Sequence, residues 1–253
     1  MHSAIKRLML ERPMIFTAAI TIGWLAIGLG SGLLLPWALP SIDVGAVRAL
    51  GQIALALLAA ALAVRIGWRS FEPAGGQVRN AGLLALPVLF AALPLAAGLR
   101  IESWGSFAFL VFMELVVGFS EELVFRGFIL RALLPGGTTR AVLVSAALFG
   151  LVHLANVVYG ASLVVTLFQV VGVCAFGIGM AAIVLRTGAL WPAMLIHALS
   201  NSALRFSYIT PRWLPTPLMS AIVMTLMLLY GAVLLWRRPR TPAVQAAPAE
   251  RLG

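Results

Sequence analysis

Glu121-Glu122-Leu123-Val124-Phe125-Arg126 stands inside an apolar run that begins near Phe107 and continues through Phe128, Ile129 and Leu130. A charged side chain at the centre of a bilayer costs about 2.5–3.5 kcal/mol on insertion scales, so such groups persist there only when paired, hydrated or used. Whether this run lies in a membrane is therefore the first question, and composition answers it. The 253 residues are 62% hydrophobic and 10% charged, with a mean hydropathy of +1.03, which excludes a soluble globular domain. Apolar runs of about 20 residues follow one another along the chain, each long enough for a transmembrane helix. The expected fold is all-α, a polytopic membrane bundle of about eight helices.

Outward from that run, punctuation by Pro, Gly and Arg places the helices at about 14–39, 46–66, 81–99, 103–134, 140–156, 162–185, 190–205 and 218–236. Pro36 and Pro40 are read as closing the first, and Pro87 and Pro94 as kinking the third. Residues 65–80 form the longest polar loop. The N-terminus, with Lys6, Arg7 and Arg12 before an apolar run, mimics a signal peptide; that run is too long for one, and it reads as an uncleaved first helix. Residues 1–236 form one transmembrane domain with a motif core at 107–205, and the Pro/Ala-rich residues 237–253 read as a disordered cytoplasmic tail. Cys174, the single cysteine, excludes a disulfide framework and reads as a small buried hydrophobe. The net charge of +10 is no sign of nucleic-acid binding, because the arginines fall mostly in loops and tails.

Three apolar helices carry polar groups. On the first, Glu122 and Arg126 are four residues apart and share a face, which favours an intrahelical ion pair and leaves Glu121 the freer carboxylate. Glu114, seven residues earlier on nearly the same face, reads as a lining of the outer part of the polar cavity. On the next, Phe149 and His153 share a face, and on the third His197 and Asn201 do. In lipid these groups need each other or a water-filled cavity, so they are expected to converge on one site. A carboxylate in such a site takes a proton from water, while imidazole N–H and amide NH₂ groups hold a developing oxyanion. That combination hydrolyses amides. Zinc bound by His153, His197 and Glu121 is the rival arrangement, since two His and one Glu make a catalytic set; Asn201 is a poor zinc ligand but a good donor, which favours a reaction without a metal or other cofactor.

The order Glu121-Glu122-x-x-x-Arg126, Phe149-x-x-x-His153, His197-x-x-x-Asn201 resembles that of the CPBP family, the CAAX-protease and bacteriocin-processing intramembrane endopeptidases also called Abi proteins. The resemblance spans about a third of the chain and rests on all three motifs together. It implies that Glu121 is the general base, that His153 assists by orienting water or donating to the intermediate, and that His197 and Asn201 form the oxyanion hole. Glu122 and Arg126 would support the site or the C-terminal end of the substrate, with Phe149 beside them. The implied partners are the lipid bilayer and a membrane-associated protein or peptide that loses a C-terminal tail or a precursor segment. Lys6 is the only lysine and alanine is abundant, as in GC-rich bacteria, which points away from prenylated substrates. A non-proteolytic immunity or regulatory protein of the same fold is the alternative; a proton-coupled carrier is disfavoured by the absence of a repeat between the halves.

Orientation follows from the arginines. With eight spans, Lys6, Arg7, Arg12, Arg65, Arg69, Arg79, Arg131, Arg140, Arg186, Arg237, Arg238, Arg240 and Arg251 fall on one side, against Arg48, Arg100, Arg205 and Arg212 on the other. The excess marks the cytoplasmic side, placing both termini in the cytoplasm of a cell whose inner (plasma) membrane holds the protein. Reporter fusions at residue 75 and after residue 240 are both expected to read cytoplasmic, and a periplasmic signal from either would sink this topology.

Overall fold

The structure, a computed structural model, describes residues 4–67, 78, 80–208 and 216–236. The expected disordered tail at 237–253, most of the polar loop before Asn80 and residues 209–215 lie outside the described residues. Eleven α-helical segments are described: α1 (Ala4–Glu11), α2 (Pro13–Ala38), α3 (Val44–Ile66), α4 (Ala85–Ala92), α5 (Trp104–Glu122), α6 (Leu130–Leu133), α7 (Thr138–Val152), α8 (Ala155–Val158), α9 (Leu163–Thr187), α10 (Trp191–Phe206) and α11 (Thr216–Trp236). Short 3-10 segments flank α4 at Ala81–Leu84 and Leu93–Ala97, another follows α6 at Leu134–Gly136, and a π-helical segment, Leu123–Ile129, joins α5 to α6.

Their surfaces explain why these helices need a membrane. By length and composition, α2, α3, the stretch Thr138–Val158 and α9 can each cross a bilayer, and Ala81–Ala97 and Ala221–Trp236 are shorter apolar helices. Ile22, Leu34, Leu57, Val64, Phe168 and Val171 are among the many large apolar side chains facing outward. A surface of that kind is stable against lipid and not against water. The chain is a polytopic all-α membrane bundle.

The bundle is held by small residues, because lipid removes the hydrophobic drive for helices to associate and leaves close packing to do the work. Helix α9 lies between α7 and α11. At the α9–α11 crossing Gly179 and Gly231 face each other: a Cβ on Gly231 would stand 2.9 Å from the Gly179 Cα, and one on Gly179 would stand 2.9 Å from the Met227 carbonyl oxygen. On the other side α5 packs along α10, where a Cβ on Gly118 would meet the Met194 carbonyl at 2.7 Å. This second crossing sets the distance between the Glu121-Glu122 stretch and His197.

All eight expected helical stretches are present, and the structure differs from the expectation in their interruptions. Pro36 does not close the first helix but lies inside α2, which runs on to Ala38. Ala4–Glu11 form α1, a short helix with Met9 turned inward, absent from the expected set because eight residues of mixed polarity carry no span-length signal. The third stretch is not one kinked helix: Pro94 opens a 3-10 turn in place of a continued α-helix. The fourth is not a single α-helix either, since the π segment interrupts it. His153, expected well inside its helix, caps the C-terminus of α7 at a one-turn break before α8.

Gly118→Val is expected to force α5 and α10 apart and to lower the unfolding temperature in detergent, an overpacking cost of about 1–3 kcal/mol. Gly105→Ala, at a position with no atom within 4 Å of the added Cβ, should leave it unchanged. Equal melting of the two variants would show that the crossing is not tight.

Candidate active site

The π segment begins where α5 delivers Glu121 and Glu122. A π turn holds one more residue than an α turn, which re-aims the side chains that follow it, and such segments recur at functional sites. Here the Leu130 amide donates to the Phe125 carbonyl, five residues back, and the Ser145 hydroxyl from α7 donates to the same oxygen at 2.7 Å. The whole segment is buried, Arg126 included.

The two glutamates have separate surroundings. Glu122 is fully buried, and its Oε1 accepts from Arg126 Nη1 at 3.0 Å and contacts His197 Nδ1 at 3.0 Å. Glu121 retains 15% side-chain exposure, and its Oε2 lies 3.7 Å from His197 Nε2, longer than a hydrogen bond. His197 thus stands between the two carboxylates, bonded to one and facing the other. Because a carboxylate only accepts, Nδ1 is the protonated nitrogen. Neutral His197 therefore spends its N–H on Glu122, and Nε2 carries a second N–H only in the imidazolium form.

Phe149 brings the motifs together. The Arg126 guanidinium stacks over its ring, 4.2 Å from the centroid. His153 meets the ring edge-on at 5.2 Å and His197 at 5.8 Å, while Phe125 and Phe176 close the aromatic shell around Phe149 and His197. His153 Nδ1 donates to the Phe149 carbonyl at 2.8 Å, so its Nε2 is the nitrogen left for other partners. A Cβ at Gly177 would stand 3.0 Å from Arg126 Nη2, so α9 approaches the guanidinium only because that position has no side chain.

Asn201, one turn beyond His197 on α10, donates its amide to Glu114 Oε2 at 3.0 Å. Arg205, a turn further, holds Glu114 Oε1 through Nε at 2.8 Å and Nη2 at 2.7 Å. Glu114 is therefore not merely a cavity lining: it is buried and bonded on both oxygens. In the sequence Arg205 counts only among the arginines that set orientation, although its spacing from Asn201 places the two on one face. Beside this triad an apolar cavity of about 350 Å³ opens between α5, α10 and residues 95–99, lined by Phe107, Val111, Leu115, Leu199 and Phe206 among others.

Among the described residues no three His, Cys, Asp or Glu side chains gather as a metal-ligand group. The two imidazoles approach Phe149 separately, and His197 turns one nitrogen to Glu122. The site offers one buried carboxylate held through Oε1 by a cation and an imidazole, one freer carboxylate, two imidazoles and an amide, inside a helical membrane bundle.

Residues 102–203 match the family described as type II CAAX prenyl endopeptidase Rce1-like. The matched segment runs from the start of α5 through most of α10 and contains all three motifs, so it is this core that is similar to that family. No curated protein matches the chain.

Arg126→Met leaves the Glu122 carboxylate buried without its cation and is expected to cost about 3–5 kcal/mol of stability. Lys at this position should recover little, because it lacks the planar face that lies on Phe149. The double variant E122Q/R126M, which removes both charges, should unfold later than R126M alone in detergent titrations; the reverse order would show that the pair is not what holds the segment.

Proposed function

We propose that this protein is an intramembrane endopeptidase that hydrolyses a peptide bond in a membrane-associated protein or peptide, with Glu121 as the base. The observation that carries the reading is the unequal engagement of the adjacent carboxylates. Glu122 is committed to Arg126 and His197, whereas Glu121 is the more exposed and has a bare imidazole nitrogen 3.7 Å away. A water lodged against both groups, at about 2.8 Å from each, gives its proton to Glu121 as its oxygen attacks the scissile carbonyl. The carbonyl π bond opens and the oxygen becomes an oxyanion held by the Asn201 amide, while neutral His197, its Nδ1–H kept on Glu122, orients the attacking water through Nε2. Protonated Glu121 then delivers its proton to the amine as the C–N bond breaks, leaving a carboxyl product and a free amine.

The remaining residues act as support. Arg126 is fully buried and stacked, so it fixes Glu122 and Phe149 rather than reaching outward to a substrate. His153, with Nδ1 held by the Phe149 carbonyl, presents Nε2 to the water or the intermediate. The apolar cavity beside Asn201 suits an apolar segment of the substrate near the cleaved bond. No metal is assigned a part. The substrate reaches the site from an inner membrane in which both termini of the chain face the cytoplasm, and its range extends to C-terminal tails and precursor segments.

The test uses purified protein and a panel of quenched peptides, with and without a farnesylated Cys-aliphatic-aliphatic-X terminus. Glu121→Gln should abolish turnover, a loss of at least about 10²–10⁴-fold, with an unchanged unfolding transition, while exhaustive chelation should leave the wild-type rate unaltered. Turnover retained in Glu121→Gln, or lost on chelation and restored by zinc, would overturn the assignment.

A further inference from the structure

We infer that Glu114 is a positioning residue: it decides which way the Asn201 amide faces, and Arg205 cancels its charge so that it can do so beside a developing oxyanion. The inference rests on the reading of Asn201 as an oxyanion donor and adds a device that the three motifs do not contain.

An asparagine side chain has two ends of nearly the same shape, a carbonyl oxygen that accepts and an NH₂ that donates. An oxyanion hole works with one and is spoiled by the other, because a carbonyl oxygen turned toward the oxyanion repels it. Packing alone hardly distinguishes them, so the choice must come from hydrogen bonding. Glu114 makes that choice, since an ionised carboxylate only accepts. Its Oε2, 3.0 Å from Asn201 Nδ2, keeps the NH₂ on that side. One N–H is used there; the other has no partner among the described residues and is available to the reacting carbonyl.

A carboxylate so close to a forming negative charge would by itself oppose the reaction. Arg205 removes the difficulty through its geometry. Both of its bonds converge on Oε1, at 2.8 and 2.7 Å, leaving Oε2 entirely to Asn201 while making the pair neutral. Glu114 is buried whereas the Arg205 side chain is half exposed, so the cation reaches inward from the helix end to a fixed carboxylate. The three residues are joined across the tight α5–α10 crossing at Gly118.

Asn80, Asn156 and Asn201 are the only asparagines in the chain. Protein labelled with ¹⁵N-asparagine therefore shows three side-chain amide pairs, and Asn201→Ala identifies the third. In Glu114→Ala that pair should move toward the position of a free amide, and in Glu114→Gln, which keeps one neutral acceptor, it should move part of the way. Glu114→Gln serves where Glu114→Ala does not fold. An unmoved Asn201 pair overturns the inference, whatever the activity.

Kinetics on whichever panel peptide the wild type cleaves supply the second reading. Glu114→Ala should lower kcat by a large part of the roughly 10²–10³-fold that loss of an oxyanion donor costs, with KM unchanged. In an Asn201→Ala background it should cost nothing more, because residues acting as a unit are not additive. Arg205→Met should also lower kcat, and R205M/E114Q, neutral again, should regain part of that loss. An equal penalty for Glu114→Ala in both backgrounds overturns the inference. Full activity in Asn201→Ala alone would instead remove Asn201 from the proposed oxyanion hole, while the amide resonances still report whether Glu114 orients it.

Discussion

The rest of the site depends on one buried oxygen. Glu122 Oε1 takes the Arg126 guanidinium from its own chain segment and the His197 ring from α10, both at 3.0 Å and with no solvent reaching the carboxylate. In a bilayer such a charge is tolerated only if compensated. The compensation fixes positions: Arg126 must lie where the π segment puts it, and α10 must come close enough for His197 to reach. Partners for part of the charge are missing even so. Glu122 Oε2 and Arg126 Nε and Nη2 make no hydrogen bond among the described residues. For the cation, the face of Phe149 at 4.2 Å supplies a compensating attraction of about 2 kcal/mol or more when desolvated. An aromatic ring at the first position of Phe149-x-x-x-His153 thus has an electrostatic reason as well as a packing one.

That constraint propagates into local structure. A guanidinium needs room, and α9 provides it at Gly177, while Ala146 packs against the same glycine from α7. The winding of the chain around Arg126 changes from α to π, and the carbonyl of Phe125 acquires a side-chain donor, Ser145, beyond its backbone one. Ser145 and Phe149 are four residues apart on α7. One face of that helix therefore braces the π segment through a hydroxyl and covers the cation through a ring.

The large features were legible in the sequence because hydropathy and spacing are strong signals in lipid. The eight helical stretches follow from the length of the apolar runs and the Pro, Gly and Arg punctuation between them, and the Glu122–Arg126 pair from its spacing. What the sequence hid was conformational. A π turn has no compositional signature, so Leu123–Ile129 read as uninterrupted helix. Pro36 misled because proline inside a long membrane helix is tolerated where a soluble helix would end. The break at His153 carries no Gly or Pro. The Glu114–Arg205 contact is hidden differently: pairing them requires the register between α5 and α10, which Gly118 sets and periodicity within one helix cannot give.

The adjacency of Glu121 and Glu122 then has a physical explanation. Two carboxylates on consecutive residues point about 100° apart on a helix, so one can face inward to Arg126 while the other turns toward the less buried side. His197 reaches both because an imidazole has two nitrogens on opposite edges, 3.0 Å from one glutamate and 3.7 Å from the other. Holding Nδ1 on the buried carboxylate settles the ring's orientation and leaves Nε2 aimed at the freer one. The inner glutamate thereby sets the geometry of the outer one without touching it. Exchanging their roles would require Arg126 to leave its place on Phe149, and no other basic side chain stacks on that ring among the described residues. The inner carboxylate is thus fixed as the anchor by the aromatic face beneath its cation, and the outer one is left as the carboxylate that keeps some exposure and faces the second imidazole nitrogen.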